Sequence, residues 1–182
     1  LFGEISQMHK VRSDQTTSTV FHGSYLDSET RFFFQQSIKA TLKSFSHPAQ
    51  PFVINWGGDH SIGLSTVLAF INRYAHGHIL WIDAHGDLNT PESSLTQNLH
   101  GMPLAFALNL NGIGSLNFPF LKRFIQPHQL IYLGLRDLDT AEALTLQELQ
   151  ISHCDMKAIE ARGMKVILNE ISSKIGACPL HI

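Results

Sequence analysis

The chain predicts an α/β fold in three layers, α-β-α, with helices on both faces of a mainly parallel sheet. Two observations carry this. Short apolar runs of strand length alternate with longer stretches of helical period along most of the chain. Polar residues able to bind metal collect directly after the apolar runs, and in open α/β sheets the carboxyl ends of the strands are where ligands bind. With 182 residues, 43% of them hydrophobic, the chain can bury a substantial core. No repeat or linker divides it, so residues 1–182 read as a single domain.

In chain order, residues 1–30 mix Gly, Ser, Thr, His and charged residues without a period and read as a loop-like lead-in. From 28 to 45, Phe32, Phe33, Ile38, Leu42 and Phe45 recur at helical spacing, with Ser28 or Thr30 as caps and Pro48 beyond the end. Residues 51–56 read as a buried strand running into Gly57-Gly58-Asp59-His60-Ser61, where two glycines allow a sharp turn. A helix over 61–74 follows, Gly77 marks a turn, and residues 79–82 form the next strand, completing a βαβ unit. A polar loop spans 92–101. A helix is expected over 102–110, a break at 111–115, a strand over 129–135 and a helix over 140–149. A short strand over 151–154, helical sequence over 156–175 interrupted at Gly163, and a strand beginning at Leu180 complete the alternation.

The chemistry concentrates at Ile79 to Pro91, ILWIDAHGDLNTP. Asp83, His85 and Asp87 stand at every second position after a buried apolar strand, and His60 ends the preceding polar turn. A lone Asp or His at a strand end is usually a cap or turn former. Several carboxylates and imidazoles in one small space are costly unless a cation neutralises them. Two imidazoles and two carboxylates without thiols suit Mn²⁺, Zn²⁺, Co²⁺ or Ni²⁺, and bridging carboxylates could hold two ions about 3.5–4 Å apart. His181, flanked by apolar residues, reads as a satisfied histidine within a strand.

Composition excludes other classes. A formal net charge of -2 gives no footprint for nucleic acid, and no apolar run approaches the roughly 18 residues of a membrane span. Cys154 and Cys178 lack metal-ligand spacing, and nothing resembles a signal peptide, so a cytoplasmic protein with reduced thiols is expected. The start at Leu1 and the apolar end at Leu180-His181-Ile182 suggest a fragment.

Four segments, GGDHS at 57–61, WIDAHGDLNTP at 81–91, NLHGMP at 98–103 and GLRDLDTAE at 134–142, resemble the successive signatures of the ureohydrolase superfamily, and of the arginases within it. The similarity runs from about residue 51 to 182; residues 1–50 match poorly. It implies two Mn²⁺ ions, one held by His60, Asp83 and Asp87, the other by His85 and the bridging Asp83. It also implies that Asp87 handles the nucleophile's proton and that His100 is a catalytic proton shuttle, suited by an imidazole pKa of about 6.5. Asn89, Thr96 and Asn98 match positions that hold a substrate α-carboxylate, and Asp139 and Glu142 positions that hold its α-amino group. The implied reaction converts L-arginine to L-ornithine and urea, in a homo-oligomer, a trimer or hexamer.

Two departures stand out. The family usually carries serine and glycine where Thr96 and Gln97 stand. It also expects the final strand to continue into an aspartate pair that completes both metal shells, so this polypeptide alone is expected to be inactive or nearly so. The rivals are another ureohydrolase, of agmatinase or guanidinobutyrase type, and a non-catalytic protein of this fold binding metal or a guanidino ligand.

Overall fold

Each of the three strand pairings in the main sheet is parallel, and the spatial order β5-β4-β3-β6 differs from the chain order. This computed structural model describes residues 21–22, 25–45 and 53–182. The strands are β3 (His78–Ile82), β4 (Leu130–Leu135), β5 (Ser152–Asp155) and β6 (Leu180–His181). From β3 the chain adds β4 and β5 on one side, then returns to lay β6 on the other. The carboxyl end of β3 therefore lies where the strand order reverses, which is the position that opens a crevice in such sheets.

Strand alternation sorts the core into two halves. Ile79 and Trp81 of β3 and Leu130 and Tyr132 of β4 face one helical layer; Leu80, Ile131 and Leu133 face the other. The first layer holds α1 (Ser28–Phe45), α2 (Ile62–Arg73), α3 (Pro103–Ala107), α4 (Ile113–Asn117) and α5 (Thr140–Glu148). The second is made by α6 (Met156–Arg162) and α7 (Met164–Ile175), whose Ile167, Ile171 and Ile175 form one buried stripe at helical spacing. The predicted three-layer arrangement is thus observed. At Gly134, with φ of 98°, the register between β4 and β5 shifts, and Leu135 turns to the first layer. That bulge directs residues 135–142 toward the end of β3.

Helix α2 is buried at every residue from Gly63 to Ile71, because the sheet lies on one side and α1 and α3 pack on the others. A β-carbon at Gly63 would sit 2.4 Å from the Trp81 ring, so glycine here sets how closely α2 approaches β3. Helix α1 buries Phe34, Ile38 and Thr41. Its N-terminus is capped by Asp27, whose carboxylate accepts from the amides of Glu29 and Thr30 at 3.0 and 2.9 Å; Ser28 and Thr30, the expected caps, lie inside the helix.

Four further expectations need correction. Residues 53–56 form no strand: Ile54 is 75% and Trp56 93% exposed. A strand needs a paired neighbour, and residues 53–56 pair with none of the described strands; Pro51 and Phe52 fall outside the described residues. The helix expected over 102–110 ends at Ala107, where Asn109 (φ 57°) and Asn111 (φ 49°) adopt left-handed conformations, and Ile113–Asn117 is helical where a break was expected. Within the lead-in, β1 (Phe21–His22) and β2 (Tyr25–Leu26) pair antiparallel; residues 1–20 lie outside the described residues. His181 sits edge-on to Phe70 with a buried Nδ1 that has no hydrogen-bond partner among the described residues, so it is not satisfied there as expected, and burial lowers its pKa to about 4. No helix among the described residues is long and apolar enough to cross a membrane.

Candidate metal centre and adjoining substrate site

Trp81 is the last inward-facing residue of β3, and the chain beyond it leaves the sheet carrying Asp83, His85 and Asp87. The Asp83 amide still donates to Leu133 O at 3.2 Å, so Asp83 keeps the strand's register. The Ala84 carbonyl then accepts from Arg136 N and Asp137 N, at 2.9 and 3.0 Å, locking this loop to the one after β4. Asp87 itself has φ of 52°, a left-handed conformation that a non-glycine residue keeps only when its surroundings fix it. Here they do. Its carbonyl accepts from Leu104 N at 3.1 Å, the next amide, Leu88 N, donates to Glu142 Oε1 at 3.3 Å, and the preceding carbonyl of Gly86 accepts from the buried Tyr132 hydroxyl.

His60 reaches the same place from the start of α2. Asp59 is a turn former, accepting from Ser61 N at 2.9 Å, and the turn stacks the His60 ring on Trp81 with centroids 4.6 Å apart and planes 24° apart. His60 Nδ1 then lies 2.9 Å from both Asp83 Oδ2 and Asp87 Oδ2. One ring nitrogen cannot direct a single hydrogen at two carboxylates, so among the described residues Asp87 Oδ2, on a residue only 4% exposed, has no aligned donor beyond that shared His60 nitrogen. One ligand atom from each of the three residues lies within 4.8 Å of the others. Two carboxylates and an imidazole converging around an orphaned buried oxygen fit a divalent cation. The contact with Asp87 raises the His60 pKa against the cost of burial, with Asp83 and Asp59 adding to the rise. His85 is half a step outside this group: Nδ1 is 3.4 Å from Asp83 Oδ1 and Nε2 is 3.5 Å from the exposed Asp137 carboxylate.

A second cluster adjoins the first through Leu88. Asp139 and Glu142 form the capping box of α5: Glu142 N donates to Asp139 Oδ1 at 2.9 Å, and Asp139 N to Glu142 Oε2 at 3.3 Å. Burial pushes the Glu142 carboxyl above its usual range although the amides of Leu88 and Asp139 pull it down. Burial likewise raises the Tyr132 phenol well above its ordinary value, helped by the nearby carboxylates Asp87, Glu142 and Asp83. Asn89 Nδ2 donates to the other oxygen of Asp139, Oδ2, at 2.6 Å, and Ser93 Oγ donates to Asn89 Oδ1 at 2.8 Å, which fixes the amide's orientation.

Of the residues singled out from sequence, then, His60, Asp83 and Asp87 meet in one group with His85 at its margin, and Asn89, Asp139 and Glu142 meet in a neighbouring one. Thr96, Asn98 and His100 are exposed on the loop between Pro91 and α3, and among the described residues no hydrogen bond or ion pair joins them to either group. Sequence reasoning missed Trp81, Tyr132, Ser93 and Asp137. Tyr132 and Trp81 sit within apolar strands, where only the phenol and indole hint at a polar task. Asp137 stood in a motif already noted, GLRDLDTAE, without a role.

Known proteins resemble this chain in sequence and in fold. A model of the arginase family matches residues 6–182. The chain is 43% identical over 115 residues to an arginase of Schizosaccharomyces pombe, covering 63% of this chain and 36% of that protein. It superposes on the arginase of Entamoeba histolytica, solved in complex with L-ornithine, with a TM-score of 0.73 and 29% identity over 85% of this chain and 53% of that one. The arginase of Bacillus subtilis gives a TM-score of 0.74 with the same identity and coverage. The chain spans about half the length of these solved structures and less of the S. pombe protein.

Proposed function

We propose, from the premise that this chain belongs to the arginase family, that the complete protein hydrolyses L-arginine to L-ornithine and urea. One observation carries the reading: the orphaned Asp87 carboxylate, shared with Asp83 around one His60 nitrogen, adjoins a paired amide and carboxylate, Asn89 and Asp139. The first group suits a cation that acts on the guanidinium. The second suits the head of an α-amino acid, whose carboxylate and ammonium would replace the Asn89–Asp139 bond with one partner each.

Two manganese ions would be held by His60, Asp83 and Asp87 and by His85 with Asp83. When bound, they supply charge neutralisation and a water made nucleophilic at neutral pH. The remaining work falls to the chain. Trp81 holds the His60 ring in place by stacking. Asp87, one of the metal donors, would also receive or pass on the nucleophile's proton. His100, exposed at the loop, carries protons between site and solvent. Asn89, Thr96 and Asn98 bind the α-carboxylate; Asp139, aided by Glu142, binds the α-ammonium. Four metal donors are few for two ions, so these residues alone are proposed to turn over slowly or not at all. A cytoplasmic setting and a homo-oligomer, trimer or hexamer, belong to the same proposal; light scattering on the purified protein tests the latter.

The test is urea release by the complete protein from L-arginine and, in parallel, from agmatine, metal-free and then with Mn²⁺ restored. Manganese-dependent urea from arginine is expected. Urea from agmatine alone would move the assignment to an agmatinase-type ureohydrolase. Bound manganese with no urea from either would favour a non-catalytic binding protein.

A further inference from the structure

Gln97 stands in the left-handed region, with φ of 58°, where a side chain is disfavoured and a glycine would meet no penalty. Three hydrogen bonds hold it there. Its amide donates to Ser94 Oγ at 3.0 Å, and its side-chain nitrogen donates to Pro91 O and to Ser94 O, each at 2.7 Å. An amide nitrogen has two hydrogens, and here each has its own carbonyl.

The side chain therefore ties the turn at 94–97 back to Pro91, the residue that ends the run beginning at the metal group. Its sequence neighbours are the ones with least else to hold them. Thr96 Oγ1 accepts only from Asn98 N, at 3.3 Å, and the Asn98 side chain makes no hydrogen bond among the described residues. Both are exposed.

We propose that Gln97 is a positioning residue that determines specificity: its clamp on Pro91 and Ser94 holds Thr96 and Asn98 at a fixed place relative to Asn89, so that the three can meet one carboxylate. The inference rests on the reading that these three residues bind the substrate's α-carboxylate. The clamp acts on that contact and not on the metal group, which is fixed by other elements. Its loss must weaken binding of substrates that carry an α-carboxylate, spare those that lack one, and leave the chemical step alone.

Two variants test this. Gln97→Glu keeps the length and the backbone demand but replaces the donor with a carboxylate facing two carbonyl oxygens. Gln97→Ala removes the side-chain clamp while keeping a β-carbon on the left-handed backbone. Hydrogen exchange of amides 93–98, measured on this chain, should quicken about tenfold in both. In the complete protein, KM for L-arginine should rise about five- to tenfold, with kcat within about twofold and manganese content unchanged. Unchanged exchange in both variants would overturn the proposal, as would faster exchange with an unchanged KM for arginine. If the unaltered protein released no urea from arginine, the functional reading would fall, while the exchange measurement would still decide whether the clamp exists.

Discussion

Asp87 and Gln97 both hold left-handed backbones without being glycine, with φ of 52° and 58°, but the two are held in different ways. Asp87 is buried at the end of β3 and fixed by partners distant in sequence: Leu104 on its carbonyl, and Tyr132 and Glu142 on the residues beside it. Gln97 is exposed and fixed by Pro91 and Ser94, which lie within the same loop. A site held by long-range contacts inherits the rigidity of the sheet. One held by its neighbours can be retuned by a single substitution. The sheet end is thus held by long-range contacts and the turn at 94–97 by contacts within its own loop.

Removing a carboxylate from the sheet end should have the largest effect. Asp83→Asn neutralises the carboxylate whose Oδ2 faces His60 and whose Oδ1 faces His85, and Mn²⁺ affinity by titration calorimetry should fall by more than about 100-fold, beyond the usual cost of losing an outer partner. Stability without metal should hold or rise, since two carboxylates no longer face one another. Tyr132→Phe comes next. It leaves the Gly86 carbonyl buried without its donor, and chemical denaturation should show a loss of about 1–3 kcal/mol with hydrogen exchange of 93–98 unaltered.

The sheet should also carry a pH dependence that the loop lacks. His181 is neutral when folded, with a pKa lowered from 6.5 to about 4 by burial. Above the unfolded value neither state is protonated and the group contributes nothing to the balance. As pH falls from about 6.5 toward 4 the unfolded chain takes up the proton and the folded chain does not, so stability is lost, by about 2 kcal/mol between pH 7 and 5. His60 works with the opposite sign: its pKa is raised, so its contribution is present below the unfolded value and lost as pH rises through the folded one. Comparing the protein with His181→Leu at both pH values isolates the His181 part, and equal slopes for the two would refute it. Smallest is Ser93→Ala, which removes the hydroxyl that donates to Asn89 Oδ1 and accepts from Thr90 N; KM for arginine should rise about fivefold, with a loss of about 1 kcal/mol in chemical denaturation.

The sequence made the sheet end legible because its signals agree. An apolar run of strand length, alternation, and polar groups at every second position beyond it all point to Asp83, His85 and Asp87 at a strand terminus. The Asp139–Glu142 pair was singled out only by the family resemblance, and its capping box emerged with the structure. Residues 53–56 misled because an apolar run states an appetite for a sheet, not the presence of a neighbour to pair with. Ile113–Asn117 misled for the opposite reason, because Asn111-Gly112 breaks one helix and admits another directly after it. The Gln97 clamp left one indirect trace, a glutamine where the resemblance expects glycine. A left-handed backbone at a residue that is not glycine, stabilised by its own side chain, has no signature in composition or period.

The central claim is that His60, Asp83 and Asp87 bind a divalent cation at the carboxyl end of β3. Crystals of the protein grown with Mn²⁺ and measured across the manganese absorption edge would test it most directly. The account predicts an anomalous peak bounded by His60 Nδ1, Asp83 Oδ2 and Asp87 Oδ2. A crystal saturated with manganese that shows no peak among these three atoms would contradict it.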